Sequence, residues 1–457
     1  MAYLGAGVSR FTTADGLTVS GNATVSGTTA LTGNATAAGN LNVTGNIDVD
    51  GTTDLDGLTV SGNVSIDGGT IKLDGNFPTG TENVALGNQA LDDGSLSGGA
   101  NTAIGNNALS DNEGGANNTA VGRNALGSNT SANSNTAVGY NALVLNTTGE
   151  SNVAIGFGAL DANTTGAESV AVGIDAGGAN TTGRITAVGR HAVKSNTTAV
   201  ENTGIGYRAL RDTTTGANNT AVGGDALLLN TTGGSNVAVG KGALDANTSG
   251  TTNIAIGVNA LGANTTASDN VAVGHSALLT NTTGTKLTAV GYESLDANTT
   301  GDQSSAFGYA ALTANTTGNQ STAVGTSSLT TNTTGSSHVA VGFEALKANT
   351  TASNNTGIGY RALLSNTTAS NNTALGYEAL KDNTTGAQNV AIGMYGLANN
   401  TTASENFAGG YNALGANTTG ASNIGIGHRT LQSNTTASNN TAVGFEAMKS
   451  NTTGTEN

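Results

Sequence analysis

The sequence predicts an all-β fold, a β-solenoid (a parallel β-roll or β-helix) of about 22 coils with 17 residues each. A glycine closes a short Ala-Val-Gly-like phrase 22 times between Gly87 and Gly444, and the spacing is 17 residues except for one of 18 and one of 16. The phrase alternates β-branched and small residues, which is typical of a short strand. A unit rich in Gly, Thr, Asn and Val without a 3.6-residue period disfavours helix.

Composition excludes several classes of protein. The 457 residues include 69 Gly, 1 Pro, no Cys and no Trp, and only 10% are charged, whereas ordinary globular domains carry about 25% charged residues. The formal net charge of −15 disfavours nucleic acid and anionic membranes as partners. No apolar run approaches the ~20 residues of a membrane helix, and the N-terminus does not look like a signal peptide. We therefore expect no nucleic-acid partner and no membrane insertion.

The unit that follows Gly139 illustrates the repeat. An aromatic residue, Tyr140, comes first, then Ala142 and Leu143, and then an Asn-Thr-Thr triplet that begins at Asn146. We predict that the Ala-Leu phrase forms a second short strand. The core of each coil is expected to hold one Leu, one Val or Ile, and one Thr or Val. The asparagines of successive triplets are predicted to stack into side-chain amide ladders.

Two further features of the repeat carry predictions. The unit with the 16-residue spacing lacks one residue within "GRITAVG" (residues 183–189), between the Asn-Thr-Thr-Gly phrase and the next strand. This predicts a turn at that place, because surface turns tolerate deletions. The middle residue of each strand, such as Ala154, is almost always Ala or Gly, which indicates the close approach of another backbone. Since such a thin coil buries little apolar area, we predict a homotrimeric fibre in which three chains pack through these small residues.

The chain divides into three predicted segments. Residues 1–16 precede all repeats and form a candidate docking segment through Tyr3, Arg10 and Phe11. Residues 17–75 contain glycines six apart and are predicted to form a hexapeptide-repeat β stalk. Residues 76–457 form the solenoid shaft of 17-residue repeats. The shaft stops within the pattern at Asn457 without a cap, so we expect the natural protein to continue.

No catalytic residue, metal site or cofactor is predicted, and we expect that the protein is not an enzyme. The four histidines lie on separate coils and are expected to be exposed surface residues. The acidic stretch "DVDGTTDLDG" (residues 48–57) loosely resembles a calcium loop but lacks the distal Glu, which leaves weak cation binding open beside a solvated turn. The Asn-Thr-Thr triplets are formal N-glycosylation sequons, but the ladder is the favoured interpretation.

One surface feature recurs with the period of the repeat. Tyr or Phe often occupies the first position after the glycine, and these residues should align along the rod as an aromatic column. They could stack on sugar rings or form hot spots for protein contacts, or they could pack against a neighbouring chain or the next coil. The members of the aromatic column are Tyr140, Phe157, Tyr207, Tyr292, Tyr309, Phe343, Tyr360, Tyr377, Tyr411 and Phe445.

The phrases "NVAIG" and "SVAVG" (residues 152–156 and 169–173) resemble the repeats of YadA-like heads of trimeric autotransporter adhesins. That resemblance covers about residues 83–457 and implies a left-handed, homotrimeric β-roll that binds host surfaces, although this coil is longer than is typical of the family. The order of the three segments is more similar to that of a bacteriophage tail fibre. It implies a virion protein that is joined to a tail or baseplate protein through its N-terminus.

This resemblance implies a structural fibre that serves as spacer and host-cell attachment rod, with host-surface polysaccharide or protein as the partner. Two alternatives stay open. The chain could be a trimeric adhesin or extracellular filament at a bacterial cell surface. It could also be an ice-binding solenoid, because regular Thr ladders can match a lattice, although the Leu, Lys and Asp residues near the triplets argue against a flat face.

Overall fold

The computed structural model describes residues 81–457, and this part of the chain contains 22 short strands and no helix. The predicted docking segment, with Tyr3, Arg10 and Phe11, and the hexapeptide stalk lie outside the described residues. The strands are Val84–Leu86 (β1), Thr102–Ile104 (β2), Thr119–Val121 (β3), Thr136–Val138 (β4), Val153–Ile155 (β5), Val170–Val172 (β6), Ile185–Val188 (β7), Asn202–Ile205 (β8), Thr220–Val222 (β9), Val237–Val239 (β10), Ile254–Ile256 (β11), Val271–Val273 (β12), Thr288–Val290 (β13), Ser305–Phe307 (β14), Thr322–Val324 (β15), Val339–Val341 (β16), Thr356–Ile358 (β17), Thr373–Leu375 (β18), Val390–Ile392 (β19), Phe407–Gly409 (β20), Ile424–Ile426 (β21) and Thr441–Val443 (β22).

Each strand pairs in parallel with the strand of the next coil, so the chain forms one continuous ladder. In a typical pair, Ala255 of β11 lies opposite Ala272 of β12, one repeat further along the chain. Parallel strands lie about 4.8 Å apart, so 22 coils extend for roughly 100 Å. The predicted β-solenoid of 17-residue coils is confirmed.

The core consists of one leucine column and two alanine columns. In one coil these are Leu261, the strand alanine Ala255 and the turn alanine Ala260, all 0% exposed. The β-branched residues on either side of the strand alanine, Ile254 and Ile256, point outwards and are 38% and 40% exposed. The expectation that Val, Ile or Thr of the strand shares the core was therefore wrong.

The small strand residues are required by the coil itself. A Cβ built on Gly204, which takes the place of the strand alanine, would lie 2.6 Å from Cγ2 of Val193 and 3.1 Å from the carbonyl oxygen of Ala209. The approaching backbone therefore belongs to the same chain, on the opposite side of a narrow coil. The alanines are fully covered, so three chains cannot pack through them as the sequence suggested.

The Ala-Leu phrase forms a turn, and the predicted second strand is absent there. Leu261 and Asn259 have left-handed backbones with φ of 53° and 56°, which is uncommon for residues other than glycine. The Leu261 N–H donates to the carbonyl of Ala277 in the next coil at 3.0 Å. Burial of a leucine side chain contributes about 2 kcal/mol, which offsets the cost of its left-handed conformation.

The amide ladder predicted from the Asn-Thr-Thr triplets is confirmed, and its asparagines are buried from Asn112 to Asn434. Its asparagines form the corner asparagine column, in which Nδ2 donates to Oδ1 of the asparagine in the preceding coil, except that Asn230 donates to Oγ1 of Thr213. Nδ2 of Asn163, for example, donates to Oδ1 of Asn146 at 2.8 Å and to the Gly166 carbonyl at 3.0 Å. Because both donors of each amide are used inside the coil, the triplet is part of the architecture.

A second amide ladder, not predicted, precedes the strands. The strand-entry asparagine column includes Asn118, Asn135 and Asn152, which are 0% exposed. The Asn135 N–H donates to Oδ1 of Asn118 at 2.9 Å, and its Nδ2 donates to the Gly149 carbonyl at 2.9 Å. Most of the described coils are thus bonded to their neighbours by buried side chains at two corners as well as through the strands.

The 16-residue coil between Gly173 and Gly189 confirms the predicted turn and contains a compensating exchange. Ordinary coils place a left-handed residue just before the strand-entry asparagine, such as Asp269 with φ of 62°, and this coil lacks that residue. Gly177 occupies the leucine position, and Ile185 occupies the strand-entry position with 2% exposure. A Cβ on Gly177 would lie 2.7 Å from Cδ1 of Ile185, so the isoleucine fills the space of the missing leucine.

We expect Ile185→Ala to destabilise this coil by about 3 kcal/mol, because it leaves a cavity next to a glycine. Gly177→Leu alone should also be destabilising, by about 2 kcal/mol, since the new side chain meets Ile185. The double variant should lose much less stability than the two single variants lose together, because Leu fills the cavity. Urea denaturation of all three variants measures this coupling, and additive losses would show that the two side chains do not share one space.

Candidate functional site

The structure places the aromatic column on the surface of the solenoid, beside the outward strand residues. All ten members are exposed within the chain, from 37% for Tyr360 to 74% for Phe445. The last residue of each strand points outwards, and the ring lies two positions after it. Two residues span at most about 7 Å of chain. The column therefore borders the outer strand face, which we define as the first and third residues of each three-residue strand, such as Ile254 and Ile256.

Many of the rings stack on one another from coil to coil. Tyr140 and Phe157 have ring centroids 5.2 Å apart with planes 11° from parallel, and Phe343 stacks on Tyr360 at 5.5 Å. Such offset parallel pairs are favourable beyond their burial of area. Of the uses suggested by the sequence, packing against the next coil is therefore present, and it leaves mainly ring edges and hydroxyl groups for a partner.

The column also contains two histidine rings. His275 stacks on Tyr292 at 5.3 Å, and His428 lies between Tyr411 and Phe445 at 5.1 and 5.2 Å. Both histidines occupy the same first position after the glycine and are exposed, so alignment by the repeat could have found them.

Tyr395 closes a gap in the column from an unexpected position. It stands second after its glycine and makes edge contacts with Tyr377 and Tyr411, at 5.6 and 6.2 Å. With it, seven rings run without interruption from Phe343 to Phe445. The alignment of first positions alone could not reveal this ring.

Charged side chains next to the column are paired with each other. Arg361 lies over the ring of Tyr360 at 5.1 Å, and its Nε donates to Glu344 at 2.8 Å. Lys347 contacts the same carboxylate at 2.6 Å. The hydrogen bond from Lys347, followed by that from Arg361, lowers the pKa of Glu344. A carboxylate held in this way is poorly suited to accept a proton, so this cluster stabilises the surface and offers no general base.

A shallow polar groove on another corner is also architectural. It is lined by Asp302, Gln303, Asn319, Gln320 and Ser336. The Thr285 N–H donates to Asp302 at 2.6 Å, and the Asp302 N–H donates to Oδ1 of Asn319 at 2.7 Å. These side chains thus continue the bonding between coils. Residues 81–457 contain no cluster of side chains suited to hold a metal ion and no helical segment able to cross a bilayer.

His338 contradicts the expectation that the histidines are exposed. It is 1% exposed and takes the place of a strand-entry asparagine. Its Nδ1 accepts the Asn355 N–H at 3.3 Å, so the ring imitates the acceptor oxygen of the missing amide. Burial, which disfavours the charged ring, lowers the pKa of His338 from 6.5 to about 4, although the hydrogen bond to the backbone of Ala352 opposes this shift.

This pKa predicts that stability depends on pH. The unfolded chain binds the proton at pH 5 and the folded chain does not, so stability is fully present above pH 6.5 and is lost as the pH falls towards 4. We expect the protein to lose about 2 kcal/mol between pH 7 and pH 5 through this group. His338→Asn should remove that loss, as judged from urea midpoints at the two pH values. The same slope in His338→Asn and in the exposed control His275→Asn would contradict the assignment.

The folded solenoid protects the sequon asparagines. In the corner asparagine column, Asn247 and Asn264 are 0% exposed, and each Nδ2 donates two hydrogen bonds. N-glycosylation needs this nitrogen, so a folded coil cannot be modified there.

A scan of protein-family models and a search of curated proteins find no match to this chain.

Proposed function

We propose that the solenoid is the shaft of a structural fibre protein, a bacteriophage tail fibre that acts as spacer and host-cell attachment rod. The regularity of the coils supports this proposal. Twenty-two parallel strands follow one another in register, and the polar side chains of the described coils mostly bond one coil to the next. Such a structure supplies length and stiffness, which a spacer needs, and the resemblance in segment order supplies the virion context.

The outer strand face supports the homotrimer. It carries mainly Val, Ile and Thr in the described coils, and Phe307 and Phe407 add larger apolar groups. Two columns that extend for about 100 Å present roughly 1,000 Å² of surface. Monomeric proteins rarely expose contiguous apolar patches above about 600 Å², and a stable interface covers about 800 Å² on each partner. We propose that three copies pack through this face, with the aromatic column at its border.

Attachment to a host-surface polysaccharide or protein is the second part of the proposal. Because inner rings such as Tyr360 are covered by neighbours on both sides, sugar stacking on their faces is disfavoured. The aromatic column is better suited to contacts through ring edges and hydroxyl groups, which are common in protein interfaces. The same shaft would serve a bacterial surface adhesin. Ice binding through the outer strand face is disfavoured, since Phe307 and Phe407 interrupt this face at β14 and β20.

Light scattering of the native protein tests the trimer, and electron microscopy tests the rod. We expect a mass near three times 44.4 kDa and straight rods. The triple variant Val239→Lys, Ile256→Lys and Val273→Lys places three charges on the outer strand face and should give monomers. Thr266→Lys, on the exposed Asn-Thr-Thr corner, is the matched control and should leave the trimer intact. A monomeric native protein would refute this assembly.

The attachment role needs its own measurement. We expect the labelled protein to bind intact host-type bacteria, and soluble surface polysaccharide or protease treatment of the cells to abolish binding and so identify the partner. If the rods bind no such cells, the attachment role is refuted and only the spacer role remains.

A further inference from the structure

Two pairs of tyrosines stack face to face across coil boundaries. Tyr292 and Tyr309 have ring centroids 5.4 Å apart with planes 7° from parallel, and Tyr360 and Tyr377 have centroids 5.0 Å apart with planes 11° from parallel. All four side chains are exposed within the chain. Each pair thus holds two phenol rings in contact in one fixed orientation.

We propose that these two pairs are sites of oxidative cross-linking, at which a one-electron oxidant joins the rings as dityrosine within one chain. Each phenol loses one electron and one proton and becomes a phenoxyl radical, with spin density at the carbons ortho to the oxygen. The two radicals couple through these carbons, and each ortho hydrogen then moves to its oxygen to restore the phenol. Two electrons and two protons leave each pair. A peroxide, activated by a haem peroxidase, accepts them and becomes two waters.

A carboxylate lies beside each pair: that of Glu293 is hydrogen-bonded to Tyr292, while that of Glu378 lies 3.6 Å from Nζ of Lys381. Glu293 follows Tyr292, and Glu378 follows Tyr377. The hydrogen bond to Glu293 raises the pKa of Tyr292, and burial together with the charge of Glu378 raises the pKa of Tyr377. Both phenols are therefore protonated at neutral pH, so the electron can leave easily only if a nearby base takes the proton.

Proximity favours coupling inside each pair over coupling between molecules. The partner ring is already in contact, which corresponds to a very high effective concentration of the second radical. Among the described residues, no other two tyrosines stack face to face: Tyr140 stacks on Phe157, and Tyr395 meets Tyr377 and Tyr411 edge-on, with ring centroids 5.6 and 6.2 Å apart. The bond would connect residues one repeat apart and would join two coils covalently without disturbing the strands.

The test treats the purified full-length protein with a haem peroxidase and hydrogen peroxide. We expect dityrosine fluorescence, no cross-linked dimers in a denaturing gel, and digest peptides that join residue 292 to 309 and residue 360 to 377. Tyr309→Phe and Tyr377→Phe keep the stacked ring, and each should remove about half of the fluorescence. The double variant should remove almost all of it.

A gain of cross-linking provides the matched control. Phe157→Tyr adds a second phenol opposite Tyr140 in the same stacked geometry, and we expect it to add a third cross-link, between residues 140 and 157. Circular dichroism verifies that each variant remains folded. Fluorescence that persists in the double variant, or cross-links that join different chains, would overturn the proposal. This inference does not depend on the proposed function.

Discussion

Asn315→Asp is expected to destabilise the coils around it by roughly 4 kcal/mol, although it changes a single group of the side chain. Nδ2 of Asn315 donates to Oδ1 of Asn298 at 2.9 Å and to the Gly318 carbonyl at 3.0 Å. A carboxylate has no donor for these two oxygens and adds a buried charge beside them. At a pH below the pKa of the new carboxyl group, the loss of stability should become smaller, because the protonated acid regains one hydrogen-bond donor.

Hydrogen exchange at the neighbouring amides and urea denaturation at pH 7 and pH 3 measure this effect. Asn315→Thr is the matched control, since Thr213 already occupies the corner asparagine column, where its hydroxyl oxygen lies 3.3 Å from Nδ2 of Asn230. The threonine variant should lose much less stability than the aspartate variant. Equal losses for both would indicate that filling the space matters and that the amide ladder does not.

Gly257→Ala should be comparably severe, with a loss of about 4 kcal/mol. Gly257 has φ of 138°, and a Cβ there would lie 2.3 Å from the carbonyl oxygen of Gly274 in the next coil. An L-residue strains this backbone, and the added methyl group must also separate two coils that are bonded to each other. We expect rapid hydrogen exchange at the β11–β12 boundary.

Gly224→Ala is the control for this substitution. A Cβ on Gly224 would meet nothing within 4 Å, and its φ lies outside the range that disfavours side chains. We expect this variant to be neutral or stabilised by about 0.5 kcal/mol, because alanine restricts the unfolded chain. A neutral Gly257→Ala would imply that the boundary relaxes and that the glycine period reflects something other than close packing.

The sequence predicted those elements of the fold that depend on period. Strand positions, the in-register stack, the corner asparagine column and the shortened connection just before β7 all follow from spacing. It could not tell which side of a strand faces inwards, because both Ala255 and its neighbours Ile254 and Ile256 are apolar. Only the narrowness of the coil selects the smaller side chain. The left-handed Leu261 was missed because local preference disfavours that conformation, and inter-coil bonds override it.

For the surface, the sequence predicted which residues line up from coil to coil better than it predicted their contacts. The aromatic column follows from counting after each glycine, but the stacking of Tyr360 on Tyr377 also requires the coil spacing and the ring orientations. His338 was mistaken for a surface residue because the residue type was considered without its place in the repeat. Counting back from Gly342 places it in the strand-entry asparagine column, where neighbouring coils require a buried group.

The hydrogen bonds between coils run along the axis of the solenoid, which determines how the shaft responds to mechanical load. A pull along the axis stretches all bonds at one coil boundary together, while successive boundaries bear the same force one after another. The breaking force of the shaft is therefore that of its weakest boundary. We expect the weakest boundary next to Thr213, which interrupts the corner asparagine column. The short coil that ends at Gly189 lies close by. A fibre under tension should yield first in this region and keep the rest of its length intact.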